Sequence, residues 1–365
     1  MENVTNGTEE YINKTTNFDI TLIIVTSLLS VIGACLLFIL TFLRWRGGEY
    51  INEPKRLLVC LTVADLFVAL GNMFGAIRFI GSMDYKSVNS IVACHTGRDP
   101  LCIFQAFVTI MSSMSSFFWT TIIAFHLLYL TPMEPSHNGS TVRIYKRTIF
   151  YHFISWGIPA ALSITALSKN LLGSDLTVGS GAWCWISACL SQTERTIWMT
   201  LTMKGWEIMM YILCALFYIL LKWSHCKEYR KVKKVEMMTA GINAPRFIRL
   251  QSVPDSERKY TKVDKRFMYL WLIELFLRSF GTVRFVMATL KRHTGHAYTS
   301  YDKADTVLFH FQNFGDSAQA LCSFIVFCAF SARTRELVRV KCVGGCVKHD
   351  DESVSLLSSV SYRND

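Results

Sequence analysis

The sequence lacks nearly every signature of a soluble enzyme. It has no His-Glu-x-x-His pair, no glycine-rich loop closing on Lys-Ser or Lys-Thr, and no Ser, His and Asp set at hydrolase spacing. These absences remove metal-dependent hydrolysis, nucleotide hydrolysis and acyl transfer from the readings. Among the 12 cysteines and 9 histidines no CxxC pair or histidine cluster has metal-ligand spacing, so no metal, cofactor or catalytic residue is assigned. Proline is scarce: of the 7 in the chain, only Pro159 falls inside a long apolar run, where it predicts a kink. There is neither an internal repeat nor an inverted symmetry between halves, which disfavours a transporter.

Charge is missing over long stretches. Seven runs exceed the roughly 20 apolar residues needed to cross a bilayer: 20–43, 57–80, 102–130, 148–168, 198–223, 267–290 and 307–330. Several are apolar on every helical face, where a soluble helix would show only a stripe. The expected fold is therefore an all-α membrane protein, a bundle of seven transmembrane helices over 20–330. The third run is its centre. Ser112, Ser116 and Thr120 fall four apart on one face, where small side chains let neighbouring backbones come close.

A net charge of +11 would suggest nucleic acid in a soluble protein. Here the cations sit between spans, in alternate connections, so no nucleic-acid partner is expected. Arg44, Arg46, Lys55 and Arg56 occupy the first connection, Arg143, Lys146 and Arg147 the third, and a dozen more the fifth, 224–266. Cytoplasmic loops are rich in Lys and Arg, which puts the N-terminus outside. The first 19 residues agree: they have no signal-peptide core and carry glycosylation sequons at Asn3, Asn6 and Asn13. After the last span, 331–346 is basic and amphipathic, as suits a helix on the inner leaflet with palmitoylated Cys342 or Cys346. The tail 347–365 reads as disordered. In the fifth connection RLQSVP (249–254) places arginine three before Ser252 and proline two after, a motif for phosphorylation and 14-3-3 capture.

Seven ionised residues lie well inside the spans: Asp65, Lys204, Glu207, Glu274, Arg278, Arg284 and Asp316. Buried charges in a membrane are costly, face the bundle interior and mark function or register. Lys204 with Glu207, and Glu274 with Arg278, have spacings that allow pairing within one helix. Glu207 or Asp316 could also reach Arg278 between helices. A chamber open to the outside between spans two, three, five, six and seven is expected, lined by Gln105, Lys204, Glu207, Arg284, Asn313 and Asp316. Two cations at one depth favour a small anionic ligand. Span seven has no lysine, which excludes a retinal Schiff base there.

The motifs SSFFWT (115–120), SWGIP (155–159), WCWI (183–186), WMTLTMKGWE (198–207) and TVRFV (282–286) resemble the G-protein-coupled receptor 157 family, relatives of the class E cyclic-AMP receptors, while RLLVCLTVADL (56–66) resembles receptors more widely. The resemblance runs from about span two to span seven. It implies a plasma-membrane receptor that couples an extracellular ligand to a heterotrimeric G protein. It also selects Cys102–Cys184 among the three full pairings of the outer cysteines, with Cys94–Cys189 to follow. Span three ends HLLYLTPM, without an Asp/Glu-Arg-Tyr triplet, and spans six and seven lack Cys-Trp-x-Pro and Asn-Pro-x-x-Tyr. Rhodopsin-like switch residues are therefore not carried over. A seven-helix transporter or ion-conducting protein is the alternative, and it calls for broken helices and charges running from face to face.

The topology is open to direct measurement. A tag at the N-terminus should be reached by antibody on intact cells and one at the C-terminus only after permeabilisation. Enzymatic deglycosylation should shift the mass until Asn3, Asn6 and Asn13 are all replaced; a shift that persists and maps to Asn138 would reverse the orientation.

Overall fold

Hydroxyl side chains let α3 (Pro100–Tyr129) occupy the middle of a helical bundle. Ser112, Ser113, Ser115, Ser116 and Thr120 are all buried. Two of them need nothing from a neighbour. Ser112 donates to the Val108 carbonyl at 2.6 Å and Ser115 to Met111 at 2.8 Å, so the polar groups are satisfied within their own helix. Ser116 is the exception, since it donates to Asp65 Oδ1 across the interface at 2.6 Å.

The computed structural model describes residues 17–48, 53–83, 99–129, 141–174, 183–240, 255–294 and 299–330. Asn3, Asn6, Asn13, Ser252, Cys342 and Cys346 lie outside them, as do the segments 331–346 and 347–365. Around α3 stand α1 (Asn17–Arg46), α2 (Glu53–Met83) and α4, which is built of Thr141–His152, a π turn Phe153–Gly157 and Ile158–Ser168. Then come α5, which is Gln192–Met199, a π turn Thr200–Lys204 and Gly205–Ala240, α6 (Asp255–Thr294) and α7, which is Thr299–Ser317 and Gln319–Phe330. The helices overrun the apolar runs: α1 begins before residue 20, and α5 and α6 extend into the connection 224–266.

Among the described residues, five of these helices are long and apolar enough by themselves to cross a membrane. The described part of α6 carries Glu274, Arg278 and Arg284, and α7 is interrupted, so these two owe their place to the bundle. Apolar side chains such as Ile39, Phe42, Phe153, Ile212 and Phe276 point outward, as a lipid-facing surface requires.

The single in-span proline marks only α4 as irregular, and the structure shows two further irregularities. In α4 the π turn sits just ahead of Pro159, whose missing N–H and ring disturb the preceding ladder. In α5 the π turn ends at Gly205, where a Cβ would lie 2.7 Å from the Thr200 carbonyl oxygen; only glycine fits. In α7 the ladder breaks at Ala318. The carbonyls there are taken by other helices: Ser30 Oγ donates to Ser317 O at 2.6 Å and Asn72 Nδ2 to Asp316 O at 3.1 Å. The break is thus held by α1 and α2 and not left open.

A small antiparallel hairpin caps one end of the bundle. It pairs β1 (Leu172–Ser174) with β2 (Cys184–Ile186) in the register Leu172↔Ile186. The disulfide Cys102–Cys184, with Cα atoms 5.5 Å apart, ties β2 to the start of α3. Trp183 packs with Ile20, Ile23, Ala76 and Phe79 of α1 and α2. Cys189 is disulfide-bonded as well, and Cys94 lies outside the described residues.

The α6–α7 contact admits no side chain at residue 315, where a Cβ would collide with the Leu277 carbonyl. Gly315→Ala should destabilise the purified protein by about 1–3 kcal/mol through overpacking, read as a lower melting temperature in detergent. An unchanged melting temperature would show that α6 and α7 can part at no cost.

Candidate ligand-binding site

The sequence Lys-Gly-Trp-Glu at 204–207 builds the core of the site. The π turn carries Lys204 inward, Gly205 permits the turn, and Trp206 Nε1 donates to the Leu201 carbonyl within it at 2.7 Å. Glu207 then faces Lys204, with Nζ to Oε2 at 2.9 Å. Tyr211 Oη donates to the other carboxylate oxygen at 2.7 Å, and Thr282 of α6 donates to the same oxygen. Glu207 is fully buried. Its charge is matched by one cation and two hydroxyls, as a carboxylate in a low-dielectric interior requires.

Arg284 of α6 is held by α7. Its Nε donates to Asp305 Oδ1 at 2.8 Å and a terminal nitrogen to Oδ2 at 3.3 Å, while another reaches Gln312 Oε1 at 2.7 Å. The Phe309 ring lies under the guanidinium, 4.7 Å away. This two-pronged pairing suits arginine and would not suit lysine.

Deeper in the bundle Arg278 does not meet Asp316 or Glu207, as depth alone allowed. It donates to Gln319 Oε1 at 2.5 Å, lies 4.5 Å from the centre of the Phe117 ring, and comes within 3.9 Å of Glu274. The last distance is electrostatic contact and exceeds a hydrogen bond. The α7 break explains the change of partner: Gln319 begins the next helical segment and turns toward α6, whereas Asp316 belongs to the segment before. Asp65 is one layer away, on Ser116.

Between α2, α3, α5, α6, α7 and the hairpin lies a cavity faced by Lys204, Arg278, Arg284, Asp316 and Gln312, roofed by Trp183 and Trp185. The volume in which a water-sized sphere can be centred is about 40 Å³, room for roughly three waters. Of the six residues assigned to the chamber, Lys204, Arg284 and Asp316 face it. Gln105 does not: its side chain accepts from the Cys184 amide at 2.6 Å and donates to Thr109, so it anchors the hairpin. Glu207 stands behind Lys204. Asn313 donates to Asp19 Oδ1 at 3.0 Å, on the α1 side of α7.

Two buried carboxylates beside the site, Asp305 and Asp19, were not anticipated from the sequence. Asp305 lies two residues ahead of an apolar run and Asp19 one residue ahead of another, so both were counted as loop. Asp19 is fully buried in α1, with His310 Nδ1 at 2.5 Å. A signal for Asp305 existed: it shares the helical stripe of Gln312, Asp316 and Gln319.

At the other end of the bundle Glu53, at the start of α2, joins three helices. It meets His126 of α3 at 2.7 Å and Arg147 of α4. Burial pushes the Glu53 carboxyl up, but the His126 hydrogen bond and the Arg147 charge outweigh this and hold it below the ordinary value of 4.5.

Comparison with known proteins places these features among receptors. A family model described as the Frizzled/Smoothened family membrane region matches residues 11–249. G-protein coupled receptor 157 of Mus musculus is 28% identical over 322 residues, covering 86% of this chain and 83% of the relative. The Homo sapiens receptor of the same name is 27% identical, over 86% of this chain and 81% of its own. Cyclic AMP receptor-like protein C of Dictyostelium discoideum is 24% identical over 48% of this chain and 44% of its own. Among solved structures, squid rhodopsin superposes with a TM-score of 0.59 at 12% identity, covering 98% of this chain and 93% of that one. This last likeness establishes the seven-helix fold alone.

The Glu53 cluster yields a pH test. A lowered carboxyl pKa adds stability that is complete above 4.5, the unfolded value, and is lost as pH falls through the folded one. Glu53→Gln should therefore lower the melting temperature at neutral pH, and the gap to the unaltered protein should close below pH 4.5. A gap that is the same at both pH values would assign the effect to packing.

Proposed function

Because the chain belongs to the family defined by the Frizzled/Smoothened membrane region, we propose that it is a G-protein-coupled receptor whose chamber takes a small anionic ligand. It is a multi-pass protein of the plasma membrane, and its relatives are receptors of the G-protein-coupled type. The observation that carries the ligand class is the arrangement of charge around the cavity. Lys204, Arg278 and Arg284 face it against the single carboxylate of Asp316, while Glu207, Glu274 and Asp305 sit outside the lining. The compensating carboxylates make the cations affordable in the membrane without occupying the space in front of them. An entering carboxylate or phosphate gains charge-assisted hydrogen bonds from donors already oriented. A relative named for cyclic AMP fits an anionic ligand. The hairpin roof, tied to α3 by Cys102–Cys184, closes the chamber from outside, and the basic connection 224–266 is where a heterotrimeric G protein would dock.

Charge exchange separates a ligand role from a purely structural one. Lys204→Glu should lower surface expression, because it sets two carboxylates side by side. Adding Glu207→Lys restores the pair, and expression should return. G-protein activation in those membranes, assayed with a panel of small carboxylates and phosphates, should stay at least about tenfold less sensitive, the worth of one charge-assisted hydrogen bond. Recovery of signalling together with expression would reduce the pair to a structural role. Unchanged signalling from Lys204→Ala combined with Arg284→Ala, at equal surface level, would remove the anionic ligand.

A further inference from the structure

A second cavity lies at the opposite end of the bundle, away from the chamber. Its walls come from α1, α2 and α4, with Thr41, Glu53, Arg56, Cys60, Tyr151 and His152 among the residues that line it, and it measures about 270 Å³. It is much roomier than the chamber on the same measure. Its polar members are unequally engaged. Glu53 is taken by His126 and Arg147, and Thr41 donates back to the Leu37 carbonyl. Arg56 is exposed and makes no ion pair or hydrogen bond among the described residues. His152 stands beside it, with the Cys60 sulfur at 4.0 Å and the edge of Trp119 as its polar and ring contacts among the described residues. The Tyr151 hydroxyl likewise makes no hydrogen bond among the described residues.

From this geometry we propose that the groove is a binding site for the headgroup of an anionic glycerophospholipid of the inner leaflet. The phosphate would sit against Arg56, His152 and the Tyr151 hydroxyl. Charge complementarity selects an anion, since the carboxylate at the site is already neutralised and the guanidinium is not. The surroundings select a lipid over a soluble anion. Leu57 and Val59 complete the wall, and the helices on either side carry exposed apolar side chains next to their groove residues, Phe42 on α1 and Ile149 on α4. A soluble phosphate gains nothing from that surface, whereas two acyl chains bury it. The level is right as well, because Arg56 opens α2 beside Arg44, Arg46 and Lys55, in the basic connection that faces the cytosolic leaflet. An occupant there would bridge α1, α2 and α4, the last two of which the Glu53 cluster already joins.

The experiment compares lipid retention by the full-length protein in detergent, using native mass spectrometry with dioleoylphosphatidylglycerol and dioleoylphosphatidylcholine at equal concentration. The unaltered protein should retain the anionic lipid preferentially. Arg56→Ala should cut that preference by about fivefold, the worth of one cation at an anionic surface, and Arg46→Ala, on the same connection but outside the groove, should not. Cys60→Phe fills the groove while leaving Arg56 in place, and it should abolish the preference in protein that melts normally. An equal loss in Arg46→Ala, or none in Cys60→Phe, would reduce the effect to diffuse surface charge. Displacement by glycerol phosphate would assign the site to a soluble anion, and equal retention of both lipids by the unaltered protein would end the proposal.

Discussion

An ammonium or guanidinium group inside a membrane needs a counter-charge within hydrogen-bond reach, and this bundle is arranged around that need. Moving such an ion out of water costs several kcal/mol even after relaxation. Lys204 meets Glu207 within α5, Arg284 meets Asp305 between α6 and α7, and Arg278 is shared by Gln319, Glu274 and the Phe117 ring. Each pairing binds one helix to another or fixes an irregular turn, so packing and electrostatics are not separable here. The π turn of α5 exists where Gly205 lets it, and it is that turn which carries the lysine inward.

The carboxylates also differ in address. Those that neutralise the cations stand outside the cavity wall, while the cations form the wall. A chamber with the same residues in reversed positions would be equally neutral and would favour a cationic ligand. Selectivity in such a site follows from which partner faces the space, and net charge says little about it. The same holds at the inner end, where Glu53 is spent on Arg147 and His126, while Arg56, one turn further along α2, makes no ion pair among the described residues.

How much of this could be read from the chain depended on whether the information was local. Spans, the central place of the third helix and the Lys204–Glu207 spacing are written in periodicity along one segment. Asp305 and Asp19 were missed because a hydropathy run ends where charge begins, yet the helices continue past that point and bury both. Gln105 and Asn313 were placed in the chamber by depth alone. Depth does not report the direction a side chain faces, and the π turns and the break at Ala318 rotate one part of a helix against the next. Proline counting found one of those three irregularities, since a glycine in one case and two captured carbonyls in the other produce the same effect without proline.

The interruption of α7 has a mechanical meaning. The segment before it holds Asp305, Gln312 and Asp316, all of them in or beside the chamber; the segment after it holds Gln319, Ser323 and Val326, which pack deeper. A continuous helix would pass a push at one end to the other as a rod. Here the two parts meet at a joint whose free carbonyls are gripped by Ser30 and Asn72, so torque crosses from one part to the other through α1 and α2. The first helix, which in a bundle of this shape stands at the periphery, thereby becomes part of the transmission.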